Sequence, residues 1–147
     1  MQSPSFYPLV FLTAIVIACE QPEDSDVITV PTDETYSVVF QDDSTVTAVV
    51  YCNTCYASYD AGSDGPISIG PLGCSYVYCG ESQVKDYFPQ ALHGATFWSI
   101  QDNNLSMVYR FNGETGTLAF EPDVLEENNA PYPLIGTRWL LKSIQVD

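Results

Sequence analysis

Short runs of alternating apolar and polar residues, each ended by turn residues, constrain the fold of this chain more than any other feature. Tyr36, Val38 and Phe40 occupy alternate positions of one run, and Leu105 and Met107 begin another. Alternate residues of a strand share one face of a sheet, so each run predicts a strand with one buried face. The predicted strands are residues 35–41, 44–51, 67–69, 96–100, 105–111, 117–120 and 136–146. Because short turns separate the first two and also 96–100 from 105–111, we expect two antiparallel hairpins.

One segment has helical rather than strand periodicity. Val84 and Leu92 lie on the apolar face of residues 81–93, and Pro89 predicts that this helix is short, kinked or split. Ser, Gly and Asp mark residues 58–66 as a loop. The ten tyrosines, seven phenylalanines and two tryptophans favour strands elsewhere. The sequence therefore predicts an α+β fold of mainly antiparallel strands, a small barrel or sandwich with one short helix.

The N-terminal residues predict export and lipid anchoring. An apolar run of about ten residues ends at Ala18, which is too short to span a bilayer and typical of a signal peptide. The residues Val16-Ile17-Ala18-Cys19 resemble the bacterial lipobox, so residues 1–18 are interpreted as a lipoprotein signal peptide and Cys19 as the lipidated residue. No Lys or Arg precedes the apolar run. Plain secretion with cleavage nearby is therefore the alternative.

The residues that follow Cys19 predict where the folded domain begins. Residues 20–26 contain four acidic groups, no basic group and no large apolar residue. Such a segment buries too little surface to order itself, so residues 19–34 are predicted to be an acidic flexible tether and 35–147 a single domain. We expect the protein in the bacterial cell envelope, attached through its lipid to the outer membrane. Whether it faces the periplasm or the cell surface stays open.

Four cysteines besides Cys19 are expected to form two disulfides, since an even number is typical of an exported domain. Sequence alone leaves three pairings open. Because Cys52 and Cys55 would close a tight ring, we favour two bonds that join them to Cys74 and Cys79. The alternatives are a four-thiolate zinc site and a redox-active Cys-x-x-Cys pair.

The charge of the chain restricts its partners. Four basic residues face nineteen acidic ones, which gives a formal net charge of −15. Binding to a phosphate backbone requires clustered Lys and Arg, so we expect no nucleic-acid partner. For the same reason, we expect the membrane to be reached through the lipid rather than through charge.

The order of these features resembles the META domain family (META/HslJ-like) over residues 35–121. The features that carry the resemblance are the strand 36–40, the run Cys52-Asn53-Thr54-Cys55-Tyr56, the strand 67–72, the cysteine segment 74–79, the helical pairs Tyr87-Phe88 and Ala91-Leu92, and the strands 98–100 and 118–120. The resemblance implies an envelope-associated binding or stress-protection module with no established catalytic residues.

One departure from that family concerns its opening strand. The family pattern Leu-x-Gly-Thr-x-Trp-x-Leu normally comes first, whereas here its counterpart is residues 134–141. One explanation is circular permutation, in which the last strand occupies the position of the first. The other is that residues 134–147 begin a truncated second copy. A strand that carries Trp139 should not remain unpaired in water, so we favour permutation.

No residue pattern predicts an enzyme, a metal or a cofactor. His93, the only histidine, lies at the predicted helix end, where a helix-terminal role is common. A secreted hydrolase that uses acidic residues is the alternative, and it would need two carboxylates in one cleft. Exposed aromatic residues near the cysteines are the candidate binding surface: Tyr51, Tyr56, Tyr59, Tyr76 and Tyr78. We expect a monomer that binds another envelope protein.

Overall fold

The computed structural model of the protein describes residues 26–63, 65–123 and 131–147. The predicted signal peptide and the predicted lipidation site Cys19 therefore lie outside the described residues. The described residues form ten strands and one helix: β1 Asp26–Thr29, β2 Tyr36–Phe40, β3 Thr45–Val50, β4 Asn53–Ala61, β5 Ile67–Ile69, β6 Gly73–Cys74, α1 Gln83–His93, β7 Ala95–Gln101, β8 Asn104–Phe111, β9 Glu114–Pro122 and β10 Arg138–Val146. No helix within these ranges is long and apolar enough to cross a bilayer.

The strands form one antiparallel sheet that curls into a nearly closed barrel. Its order is β5-β4-β3-β2-β10-β9-β8-β7, with β1 beside β10 and β6 beside β4. The two ends of this order meet where Pro66 bridges to Phe97 and where the Trp98 N–H donates to the Gly65 carbonyl at 2.7 Å. This contact covers part of both edge strands. The predicted small, mainly antiparallel α+β fold is confirmed.

The predicted hairpins are present, and their alternating residues line the barrel interior. In β2 and β3, Tyr36 pairs with Val50 and Phe40 with Val46, and all four side chains are buried. Strand β8 likewise buries three residues at alternate positions, Leu105, Met107 and Tyr109. The expected loop at 58–66 was wrong in its first half, because β4 continues to Ala61 with Ala57 and Tyr59 facing the core.

Helix α1 packs its apolar face against the barrel core. Ser82 caps its first turn by accepting a hydrogen bond from the Lys85 N–H, and Val84, Phe88, Ala91 and Leu92 are buried. Pro89 lies in the interior of the helix, which nevertheless runs without interruption to His93. The prediction of a single short helix is confirmed, and Pro89 does not split it.

Strand β10 lies between β2 and β9, at the middle of the sheet order. Trp139 pairs with Val38 on one side and Pro122 on the other, and its side chain is completely buried. Its indole N–H donates to the Leu134 carbonyl at 3.3 Å. Strand β10 therefore belongs to the same sheet as β2 and β9.

The predicted tether ends earlier than expected. Residues 26–29 form β1, which pairs with β10 from Asp26 opposite Val146 to Thr29 opposite Ser143. Composition missed this strand because its residues are largely exposed and it gains its order from the neighbouring strand. Tether residues 19–25 lie outside the described part of the chain.

Candidate functional site

Two disulfides attach an irregular segment to the start of β4. Cys52 bonds to Cys79 and Cys55 bonds to Cys74, with Cα–Cα distances of 5.8 Å and 4.0 Å. Each bond joins one cysteine of the 52/55 pair to one cysteine of the 74/79 pair, which confirms the favoured arrangement. Both bonds consume the thiols that a four-thiolate zinc site would require. A redox pair between Cys52 and Cys55 is likewise not formed.

Asn53 holds the same segment through its side-chain amide. Its Nδ2 donates to the Val77 carbonyl at 3.0 Å, and its Oδ1 accepts from the Val77 N–H at 2.7 Å. The same Oδ1 accepts from the Ser75 hydroxyl at 3.1 Å. The Ser75 N–H donates to the Thr54 carbonyl at 3.0 Å, and the Thr54 N–H donates to the Ser75 hydroxyl at 3.1 Å. Residues 75–79 are therefore fixed without belonging to a strand or a helix.

The fixed segment presents large side chains to solvent. Tyr76 is fully exposed, Tyr78 is 78% exposed and Val77 is 57% exposed. Tyr56 on the outer face of β4 is also exposed. It pairs with Gly73 of β6, the strand that directly precedes the segment. We call these four residues the tyrosine patch: Tyr56, Tyr76, Val77 and Tyr78.

Of the other two predicted tyrosines, Tyr59 belongs to the core and Tyr51 packs against it. Tyr59 is buried and its hydroxyl donates to the Gln41 carbonyl, while burial raises its pKa above the usual range. Tyr51 occupies a turn with a positive φ of 60° and packs its ring edge-on at 6.4 Å from the Tyr36 ring. The predicted binding surface is therefore divided, with three of its five tyrosines available to a partner.

A groove of about 540 Å³ lies between the patch and helix α1. Its walls include Tyr76 and Tyr78 on the segment, Leu72 before β6, and Lys85 and Asp86 on the helix. The Lys85 ammonium lies 5.7 Å from the centre of the Tyr78 ring and donates to the Gly80 carbonyl at 2.8 Å. The groove thus combines aromatic walls with one cation and one carboxylate. A hydrolase of the type considered above would need a pair of carboxylates in it.

A second polar cluster joins the helix to the barrel. The hydroxyls of Tyr87 and Tyr109 lie 2.9 Å apart, and Tyr87 donates to Glu114 at 3.1 Å. Burial is the main reason why the pKa of each tyrosine is raised. Tyr109 also donates to the Gln145 carbonyl at 3.1 Å. These hydroxyls connect α1, β8, β9 and β10, so their role is structural.

No cluster of three metal-ligating side chains occurs among the described residues. The Nδ1 atom of His93 lies 2.8 Å from the Ile69 carbonyl, so this side chain ties the helix end to β5. Sequence reasoning missed Asn53, Val77 and Lys85 as parts of the candidate surface. The signal available for Asn53 was its position directly between two cysteines that both form disulfides.

Comparison with known proteins gives one family. A family model described as META domain matches residues 20–123. The match includes β1 to β9 and α1, and it ends before β10. Comparisons with curated proteins and with solved structures returned no match.

Proposed function

Because the chain belongs to the META domain family, we propose that it is a non-catalytic, lipid-anchored protein of the bacterial cell envelope that binds another envelope protein. The observation that carries this proposal is the tyrosine patch, which is exposed on a segment that two disulfides and Asn53 hold in place. The lipid is proposed on Cys19, and the partner is proposed to contact the patch.

The composition and rigidity of the patch support binding. Tyrosine offers a large apolar ring with a polar tip and few rotatable bonds, so it is enriched at interfaces. Three consecutive large exposed residues, Tyr76 to Tyr78, add surface that folding leaves uncovered. Since the segment is already ordered, a partner would lose little free energy in ordering it.

The position of the patch supports a partner close to the membrane. The patch groove includes Lys85 and Asp86, while the side chains of Gln83 and Tyr87 line another groove together with Asp26. Helix α1 therefore borders both the groove beside the patch and the groove at the start of β1. Six residues, 20–25, lie between Cys19 and the start of β1 at Asp26. A chain of that length reaches about 25 Å at most.

Site-specific crosslinking in the native envelope tests the proposal. A photoreactive amino acid replaces Tyr76 in one variant and Val108 in a control, because Val108 is exposed on β8 away from the patch. We expect one crosslinked protein from position 76 and none from position 108. The crosslink should weaken when Tyr78→Ala is added. Equal crosslinking from both positions would contradict a role for the patch.

The lipid anchor needs a separate measurement. Labelling of cells with a radioactive fatty acid should modify the wild-type chain and leave Cys19→Ser unlabelled. We expect Cys19→Ser to leave the membrane fraction and to lose the crosslink at position 76. If the Cys19→Ser chain is still labelled, or stays membrane-bound, the anchoring part of the proposal is wrong.

A further inference from the structure

The two disulfides differ in how an external thiol can reach them. Cys52 is exposed and Cys79 is half-buried. In the other bond Cys74 is exposed, whereas Cys55 is completely buried in the core. Attack on Cys74 would expel Cys55 as a thiolate among apolar side chains, which burial opposes. Attack on the first bond at Cys52 meets no such cost.

The surroundings of Cys79 favour its departure as a thiolate. The Cys52 backbone N–H lies 3.2 Å from the Cys79 Sγ, and the Asn53 Nδ2 lies 3.5 Å from it. The Lys85 ammonium is bound to the carbonyl of Gly80, the next residue. Hydrogen-bond donors lower the pKa of a thiol, and a leaving group of lower pKa departs faster. The positive charge of Lys85 would act in the same direction.

We propose that Cys52–Cys79 is a thiol–disulfide exchange site at which an incoming thiolate attacks the Cys52 sulfur. The attacking sulfur forms a bond to Cys52, the bond between Cys52 and Cys79 breaks, and its electron pair leaves on Cys79. With a dithiol reductant, the second thiol loses its proton and attacks the reductant's own sulfur in the mixed disulfide. Cys52 leaves and is protonated, so the protein disulfide is reduced and the dithiol is oxidised.

Exchange changes how the tyrosine patch is held. Cys79 directly follows Tyr78, so opening its bond releases that end of the segment. The Cys55–Cys74 bond and the Asn53 bonds to Val77 remain. The consequence for partner binding rests on the proposed function, since a less ordered patch binds more weakly. The exchange itself does not depend on that function.

Graded reduction of the folded protein tests the site. The protein is incubated with increasing dithiothreitol, free thiols are alkylated, and the modified cysteines are identified by mass spectrometry. We expect Cys52 and Cys79 to be alkylated at about tenfold lower dithiothreitol than Cys55 and Cys74. Glutathione, a monothiol, should be trapped on Cys52 and not on Cys79. Simultaneous alkylation of all four cysteines, or glutathione on Cys79, would overturn the proposal.

A matched pair of lysine variants tests the role of the nearby cation. Lys85→Met should slow the reduction of Cys52–Cys79 roughly twofold or more, whereas Lys142→Met, on β10, should not change it. Equal rates for both variants would overturn the assigned role of Lys85. Crosslinking at position 76 is measured on the same preparations. Failed exchange with an intact crosslink overturns this inference alone, and a missing crosslink with selective exchange overturns the proposed function alone.

Discussion

At the scale of single residues, Asn53 helps to hold the tyrosine patch in place, a role that the sequence alone does not reveal. Its side chain makes three hydrogen bonds to Ser75 and Val77, at 2.7 to 3.1 Å. These bonds determine the position of the tyrosine patch as directly as the disulfides do. Because one amide satisfies both the N–H and the carbonyl of Val77, no shorter side chain can replace it.

Asn53→Ala should therefore loosen the segment without unfolding the barrel. We expect the free energy of unfolding to fall by about 1–2 kcal/mol, since the released groups can bond to water. Amide hydrogen exchange at Val77 should accelerate. The control Asn104→Ala changes an exposed asparagine at the start of β8 and should alter neither quantity. Unchanged exchange at Val77 would show that the disulfides alone hold the patch.

Buried tyrosine hydroxyls make stability depend on alkaline pH. Burial is the main cause that raises the pKa of Tyr36 and of Tyr109, and a hydrogen bond to Glu34 adds to it at Tyr36. An unfolded tyrosine ionises near pH 10, at about its reference value. Below that pH both states are protonated and the stability is complete. Above it the unfolded chain loses protons first, so the free energy of unfolding falls by about 1.4 kcal/mol per pH unit for each such tyrosine.

Tyr36→Phe should reduce this slope by the contribution of one proton, about 1.4 kcal/mol per pH unit. The measurement is urea unfolding at several values between about pH 9 and about pH 11, which span the ionisation of unfolded tyrosine. Tyr76→Phe is the matched control, because the Tyr76 ring is fully exposed and should leave the slope unchanged. Identical slopes for the two variants would contradict the assignment of the pH dependence to buried hydroxyls.

At the scale of secondary-structure elements, the alternation of apolar residues predicted most strands because the barrel has one solvent face and one core face. The pattern failed where burial does not alternate or is small. Strand β1 is largely exposed, and its order comes from hydrogen bonds to β10. Strand β6 has two exposed residues and is held by Cys74. Such short strands depend on their neighbours, which a local pattern does not contain.

Strand β10 is the element whose loss should be most damaging. Trp139→Ala would leave a cavity in the core and is expected to cost about 3–5 kcal/mol of unfolding free energy. Lys142→Ala on the same strand is the control, because its ion pair with Glu121 at 3.0 Å is exposed and contributes less than about 1 kcal/mol.

Urea unfolding compares the two variants of β10. If Trp139→Ala does not fold, Trp139→Phe keeps an aromatic ring at the site and should show a smaller loss in the same direction. A cost for Trp139→Ala that equals the cost for Lys142→Ala would mean that β10 is peripheral. That result would conflict with its place between β2 and β9.

At the scale of the whole molecule, the sequence predicted which cysteines could bond but not how the surface near them is shared. Tyr59 and Tyr78 look alike in the sequence, yet one is buried and the other is 78% exposed. The difference follows from their positions: Tyr59 faces inward on a strand, while Tyr78 lies on a segment with no alternation. The groove with Lys85 also needs the helix and β4 to meet, which only the tertiary structure supplies.

The strand order explains why β10 can come last in the chain. Asp26 lies opposite Val146 in the sheet, so the end of β10 is adjacent to the start of β1. Directly opposed antiparallel residues have Cα atoms about 5 Å apart, a distance that a two-residue turn closes. We propose that joining these ends would restore the family's strand order, with the Gly-Thr-Arg-Trp strand first.

A rearranged chain tests this permutation directly. Residues 131–146, an added Asn-Gly turn and residues 26–123 are joined in that order, and the original 26–147 chain is the reference. We expect the rearranged chain to form the same two disulfides and to unfold within about 2 kcal/mol of the reference, because closely placed termini tolerate such exchange. The chain 26–123 alone lacks Trp139 and should not fold. A rearranged chain that fails to fold, beside a stable reference, would contradict permutation, since every hydrogen-bonded strand pair is retained in it.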